Sequence, residues 1–152
     1  MKTAQRHASA LIPVLVLLLL ALTTACTQSG DASQIEAINV TMLVQAGEGD
    51  ARWFRDTSVP KGNNAWELTE LVTEGDFKAN YYPQYRAHFV DAIFGVENNN
   101  PSFWLIFIWN ESEAKWESLP VGADLFSLKE GHTLAWYYGD TSQGDSVPPA
   151  TP

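Results

Sequence analysis

Cys26 is the only cysteine among 152 residues, and the residues before it decide what its sulfur can do. Lys2 and Arg6 precede an apolar run from Leu11 to Leu22, and Thr23, Thr24 and Ala25 follow it. A signal peptidase that cuts in front of a cysteine at that spacing leaves a mature N-terminus carrying acyl chains. Residues 1–25 therefore read as a lipoprotein signal peptide and Cys26 as the lipidation site. The apolar run is shorter than the roughly 20 residues that span hydrocarbon. An uncleaved anchor drawn from Ala8 to Ala25 would give the same orientation, with Lys2 and Arg6 inside and the remainder exported. The expected location is extracytoplasmic, on a membrane surface.

The imidazoles left downstream of Cys26 are His88 and His132. Nucleophilic catalysis needs a base that a third group orients, and Asp91 is the nearest carboxylate to His88 on the same strand. A separation of three puts the two side chains on opposite faces, so they are not expected to meet. His132 follows Gly131 and reads as a turn residue. Two separated histidines without a free thiol do not make a zinc site. Glu48, Asp50 and Asp56, or Glu111, Glu113 and Glu117, lack the alternation and closing Glu of a calcium loop and read as solvated charge. The expectation is a protein that is not an enzyme, with no metal site and no cofactor.

Net charge bounds the partners. Loss of residues 1–25 removes Lys2 and Arg6 and no acidic residue, taking the charge from −9 to −11. Such a surface repels nucleic acid, and no basic cluster survives to form a local exception. With Cys26 acylated there is no thiol for a disulfide, so the fold must rest on core packing.

The elements that hold these residues follow from periodicity. Residues 26–34 are small and polar and read as a flexible spacer after the lipidated cysteine. Residues 140–152, with three prolines and one large apolar residue, read as a disordered tail. Between them, residues 35–139 form one folded unit. Ala37–Gln45 alternates as a strand with one buried face. Trp53 and Phe54 precede a loop around Pro60 and Gly62. Asn64 and Glu67 have the spacing of a capping box, and Leu68, Leu71 and Val72 give the stripe of one short helix ending near Gly75. Phe77–Tyr82, Tyr85–Phe94, Ser102–Trp109 and Thr133–Tyr138 read as further strands.

Ser102–Trp109 is apolar on both sides. Phe103, Leu105, Phe107 and Trp109 face one way, and Trp104, Ile106 and Ile108 the other. One helix covers one face of a sheet, so the second face needs loops, the Tyr81, Tyr82 and Tyr85 segment, a partner or a ligand to close it. Trp66, Phe103 and Trp136 are assigned to the core. Trp116 sits among Glu111, Glu113, Lys115 and Glu117, where polar neighbours predict partial exposure. Trp104, Trp116 and Tyr137 are accordingly the expected ligand-binding surface.

Val59-Pro60-Lys61-Gly62, Phe89-Val90-Asp91-Ala92-Ile93-Phe94-Gly95-Val96, Phe103-Trp104, Leu119-Pro120-Val121-Gly122-Ala123-Asp124 and the stretch from Leu128 to Tyr138 together carry a resemblance. They resemble a family of small exported domains similar to the C-terminal β-domain of transcobalamin and intrinsic factor. His132 stands where that family commonly has Asp, and Asn110-Glu111-Ser112 where it has a glycine-containing hairpin. The resemblance implies an α+β domain, grasp-like, with a small mixed β-sheet and one short helix. It also implies a surface for a cobalamin-like small molecule, although the helical barrel that completes the clamp in the carriers has no counterpart here.

Together these readings predict a membrane-anchored lipoprotein with a non-catalytic ligand-binding domain. The alternative is a structural or adhesive envelope module that binds another protein through its aromatic sheet face.

Overall fold

The computed structural model describes residues 36–144 and 146–152. The expected signal peptide, Cys26 and the expected spacer lie outside the described residues. Among the described residues, no helix is long and apolar enough to cross a membrane.

Strands β1 (Ala37–Ala46) and β2 (Ala51–Pro60) lead into helix α1 (Ala65–Thr73). Then come β3 (Phe77–Tyr82), β4 (Ala87–Ile93), β5 (Val96–Glu97), β6 (Ser102–Asn110), β7 (Lys115–Ser118) and β8 (Thr133–Asp140). Single 3₁₀ turns occupy Ala123–Leu125 and Thr141–Gln143. The result is a mixed α+β domain, mostly β-sheet, with one short helix.

The strands make two sheets, where a single one was expected. The larger has the order β2-β1-β8-β6-β7, with β1 parallel to β8 and its other neighbours antiparallel; the smaller is β3-β4-β5. The division arises at Phe94-Gly95. Both residues have positive φ, 49° and 77°, the geometry of a tight hairpin turn that glycine tolerates and that matches strand twist. That turn folds β5 back onto β4 and pairs Ile93 with Val96, so β4's free edge is taken before β6 begins.

β2, for which no strand was expected ahead of the loop at Pro60 and Gly62, pairs with β1 from Ala51 to Pro60. It is an edge strand, largely exposed. Asp56 adopts φ 49°, and the register slips between Val40 and Met42, so no clean alternation marks it.

Helix α1 starts at the predicted capping box. Asn64 Oδ1 accepts from Glu67 N at 2.9 Å, and Asn64 N donates to Glu67 Oε2 at 2.7 Å. Its buried stripe is rotated from the predicted one: Leu71 is 51% exposed, while Thr69 and Thr73 are buried beside Leu68 and Val72. Each threonine hydroxyl donates to the carbonyl four residues back, at 2.8 Å, which satisfies it inside the core. Thr69 Oγ1 also accepts from Trp136 Nε1 at 2.8 Å and ties the helix to the centre of the large sheet.

The main core lies between the large sheet, α1 and the small sheet. It holds Val40, Met42, Val44, Leu68, Ile93, Trp104, Leu134 and Trp136. The other face of the large sheet carries a second cluster of Leu43, Phe107, Trp116, Ala135 and Tyr137. This is the two-sidedness read from Ser102–Trp109. Its cover is not the Tyr81, Tyr82 and Tyr85 segment, which belongs to β3 and the turn after it in the small sheet.

Instead, residues 146–152 lie against this face. Pro148 is buried, Ala150 packs on the cluster, and Ala150 O accepts from Trp116 Nε1 at 2.8 Å. The expected disordered tail is thus corrected. Polarity and proline content leave such a segment unable to make its own core, but they do not prevent it from docking on one that another segment supplies.

Candidate functional site

A cavity of about 920 Å³ opens between β4 of the small sheet and β6 of the large one. Its side is the loop from Val121 through the 3₁₀ turn at Ala123–Leu125. The size falls within the range of small-molecule sites, and most of the wall is apolar. Trp104, Ile106 and Trp136 form the inner wall, while Tyr82, Tyr85, Phe89, Phe103 and Leu125 stand exposed around the mouth.

The mouth aromatics are arranged, not scattered. Phe89 lies edge-on to Tyr82 with centroids 5.1 Å apart and tilted to Tyr85 at 5.5 Å. Tyr85 is 61% exposed and Phe89 50%. Three large rings left in water beside an apolar cavity are the kind of contiguous patch that marks a contact surface. Phe103, assigned to the core from sequence, belongs to this rim. It is 37% exposed and lines the cavity beside Trp104.

The polar groups are few and held in place. His88 Nδ1 lies 2.7 Å from Asp124 Oδ1, and the backbone N–H of His88 donates to Asp124 Oδ2 at 2.7 Å. The two contacts to one carboxylate fix the orientation of the imidazole ring. The imidazole stacks on Trp66 at 4.2 Å with planes 10° apart and meets Tyr81 at 4.9 Å. Asp91, as expected, does not meet His88; it accepts from Asn80 Nδ2. Asn98 donates to Val90 O at 2.8 Å and accepts from Trp104 N at 2.9 Å, bracing β4 against β6 across the cavity.

Gly122 sets how close the loop comes. A Cβ there would sit 2.7 Å from Ala87 Cβ, so only glycine lets the loop pack against β4 at this depth.

The three residues expected to form one ligand surface do not do so. Trp104 is a buried wall of this cavity, with Nε1 donating to Val96 O at 2.9 Å. Trp116 and Tyr137 lie in the second cluster, on the opposite face of the large sheet. Trp116 is 7% exposed, contrary to the partial exposure its charged neighbours predicted. Lys115 and Glu117 point the other way on β7, and Glu111 and Glu113 lie in the turn before it; Lys115 pairs with Glu113 and Glu117.

His132 is a turn residue, as read. It accepts from Lys129 N at 3.3 Å, and burial together with the charge of Lys129 holds its imidazole below the ordinary histidine pKa. The unusual hairpin Asn110-Glu111-Ser112 is closed by Asn110 Oδ1, which accepts from Ser112 N and Glu113 N, so a side chain takes over the turn that glycine makes elsewhere. Among the described residues, no group of three or more His, Cys, Asp or Glu is placed to hold a metal ion.

No family model matches the chain, and no curated protein matches it. Solved structures do. Haptocorrin in complex with Cbi superposes with a TM-score of 0.56 at 16% identity, covering 70% of this chain and 26% of haptocorrin. A Ruminococcus gnavus protein provisionally described as metal-binding, solved at 1.30 Å, superposes with a TM-score of 0.50 at 14% identity, covering 68% of this chain and 97% of its own. This chain therefore corresponds to about a quarter of haptocorrin's length. At such identities the likeness is one of fold, and the fold is what this chain has in common with haptocorrin.

Proposed function

We propose that this chain is a membrane-anchored lipoprotein, acylated at Cys26 and exposed on the exported side. Its domain is a non-catalytic binder of a flat, cyclic small molecule of the cobalamin type. The observation that carries the reading is the cavity between β4 and β6, with the exposed rings of Tyr82, Tyr85 and Phe89 at its mouth. Flat ligands gain most from stacking on such rings and from one or two fixed polar contacts, which His88 and Asn98 supply. The superposition on haptocorrin in complex with Cbi supports the same ligand class.

The seat is open on one side, so it buries only part of a large ligand. Affinity then depends on how much surface a second protein adds, and the domain acts as half of a clamp. A structural or adhesive role would use the same exposed rings to hold an envelope protein in place of a small molecule.

Calorimetric titration of the full chain in detergent with cobalamin tests the ligand. Saturable one-site binding that is lost on Phe89→Ala supports the reading, while absence of heat with a folded protein turns the rim toward a protein partner. Anchoring is tested separately by mass spectrometry of the membrane-extracted chain: an acylated Cys26 at the N-terminus is the expected result, and a chain that still carries residues 1–25 with an unmodified Cys26 means that the apolar run is an uncleaved anchor.

A further inference from the structure

The second cluster's face holds two polar groups whose partners are the backbone C=O and N–H of one residue. Trp116 Nε1 donates to Ala150 O at 2.8 Å, and Gln45 Oε1 accepts from Ala150 N at 3.4 Å. Gln45 is on β1 and Trp116 on β7, with β8 and β6 between them in the sheet. Residues 146–152 therefore cross the face of the sheet and add no strand to either edge.

Gln45 is only 3% exposed, on a face that is otherwise aromatic and aliphatic. A buried amide and a buried indole N–H cost free energy unless something answers them. Here a single residue's backbone answers both, whatever its side chain. The floor beneath it is built of rings: Trp109 meets Trp116 edge-on at 5.2 Å, and Trp53 flanks the same cluster.

The segment so held is Ser146-Val147-Pro148-Pro149-Ala150-Thr151-Pro152. Three of its seven residues have no N–H and a fixed φ, so it meets the face with little conformational freedom left to lose and with few donors to satisfy. Pro148 is buried, and Ser146 packs over Gly139, which has no side chain to block it. Aromatic floor, indole N–H to a carbonyl, and a prolyl segment laid across it are the components by which proline-rich peptides are recognised.

We infer that this face of the large sheet is a recognition groove for proline-rich segments, and that residues 146–152 occupy it in cis. Tethering gives the cis segment a high effective concentration, so a proline-rich segment of another exported protein gains the groove only when residues 146–152 release it. The groove lies on the opposite side of the sheet from the cavity, so its occupant is independent of the ligand proposed above.

The test follows the Trp116 indole N–H in the full chain by ¹⁵N–¹H NMR, assigned by its loss in Trp116→Phe, with the Trp136 indole as the reporter of the main core. In the unmodified chain the Trp116 indole exchanges slowly. In Pro148→Gly/Pro149→Gly its exchange rises tenfold or more, roughly the preference that fixed φ confers, while Trp136 is unchanged. Adding the peptide SVPPATP then restores protection saturably, and SVGGATG does so about tenfold more weakly. Unchanged exchange in the glycine variant, no response to SVPPATP, or equal response to the two peptides overturns the inference. Loss of protection at Trp136 together with Trp116 also overturns it, because residues 146–152 would then be part of the core and not a ligand upon it.

Discussion

Asp124 holds His88 at two points, through Nδ1 and through the backbone N–H, each at 2.7 Å. The two residues are 36 apart in sequence and are joined because the 3₁₀ turn at Ala123–Leu125 packs on β4. The pair fixes the ring that stacks on Trp66 beside the cavity.

Asp124→Asn keeps the size and loses the charge. Hydrogen bonds to a charged acceptor contribute about 1.5–3 kcal/mol, so the variant is expected to unfold with about 1–2 kcal/mol less stability. Urea denaturation of both chains measures it. An unchanged midpoint would mean that the pair is a solvent-weakened surface contact.

Tyr85 and Phe89 are exposed and contribute little to the core. Tyr85→Ala/Phe89→Ala should change stability by no more than about 0.5 kcal/mol per site while removing ligand binding at the cavity. Gly122→Val should act in the opposite order, displacing the loop from Ala87 and lowering stability along with binding. Thermal melts beside calorimetric titrations separate the two effects.

Trp104 and Trp116 behave as core residues. Replacing either by Ala removes a buried indole and its hydrogen bond, for a cost of about 3–5 kcal/mol. Both variants are expected to melt well below the parent. A Trp116→Ala chain as stable as the parent would show that the second cluster is not closed in solution.

His132 makes stability depend on pH. Its folded-state pKa is lowered, so the folded chain binds fewer protons than the unfolded chain wherever the unfolded imidazole titrates. That contribution is fully present above the unfolded value of about 6.5 and is lost as pH falls through it toward the folded value. Denaturation at pH 7.5 and pH 5.5 should show a drop that is smaller in His132→Gln. An equal drop in both chains would assign the acid sensitivity to other groups.

Several features were legible in the residues themselves. The capping box at Asn64 and Glu67 and the two-sided apolar pattern of β6 each depend on side chains within one segment. Those expectations and the structure agree because a helix start and a strand's apolar faces are local geometry, whereas β1, read as a strand with one buried face, buries Leu43 and Gln45 on its other face too, under residues 146–152. β2 was not legible, since the positive φ of Asp56 and the register slip opposite it erase the period that marks a strand. Trp116 was misread for a related reason. Charged neighbours along the chain say nothing about which side of a strand is covered.

The sequence by itself determined the lipidation expectation at Cys26, the acidic charge that repels nucleic acid, the helix start and the need of a second apolar face for cover. All of these follow from residue type and short-range period. Only the tertiary structure decided what the cover is and where the cavity lies. Asp124 meets His88 across 36 residues, Ala150 meets Trp116 across 34 and Gln45 across 105. Contacts at such separations depend on how strands are ordered in the sheets. That order is set by the packing of the whole chain, with no local pattern to announce it.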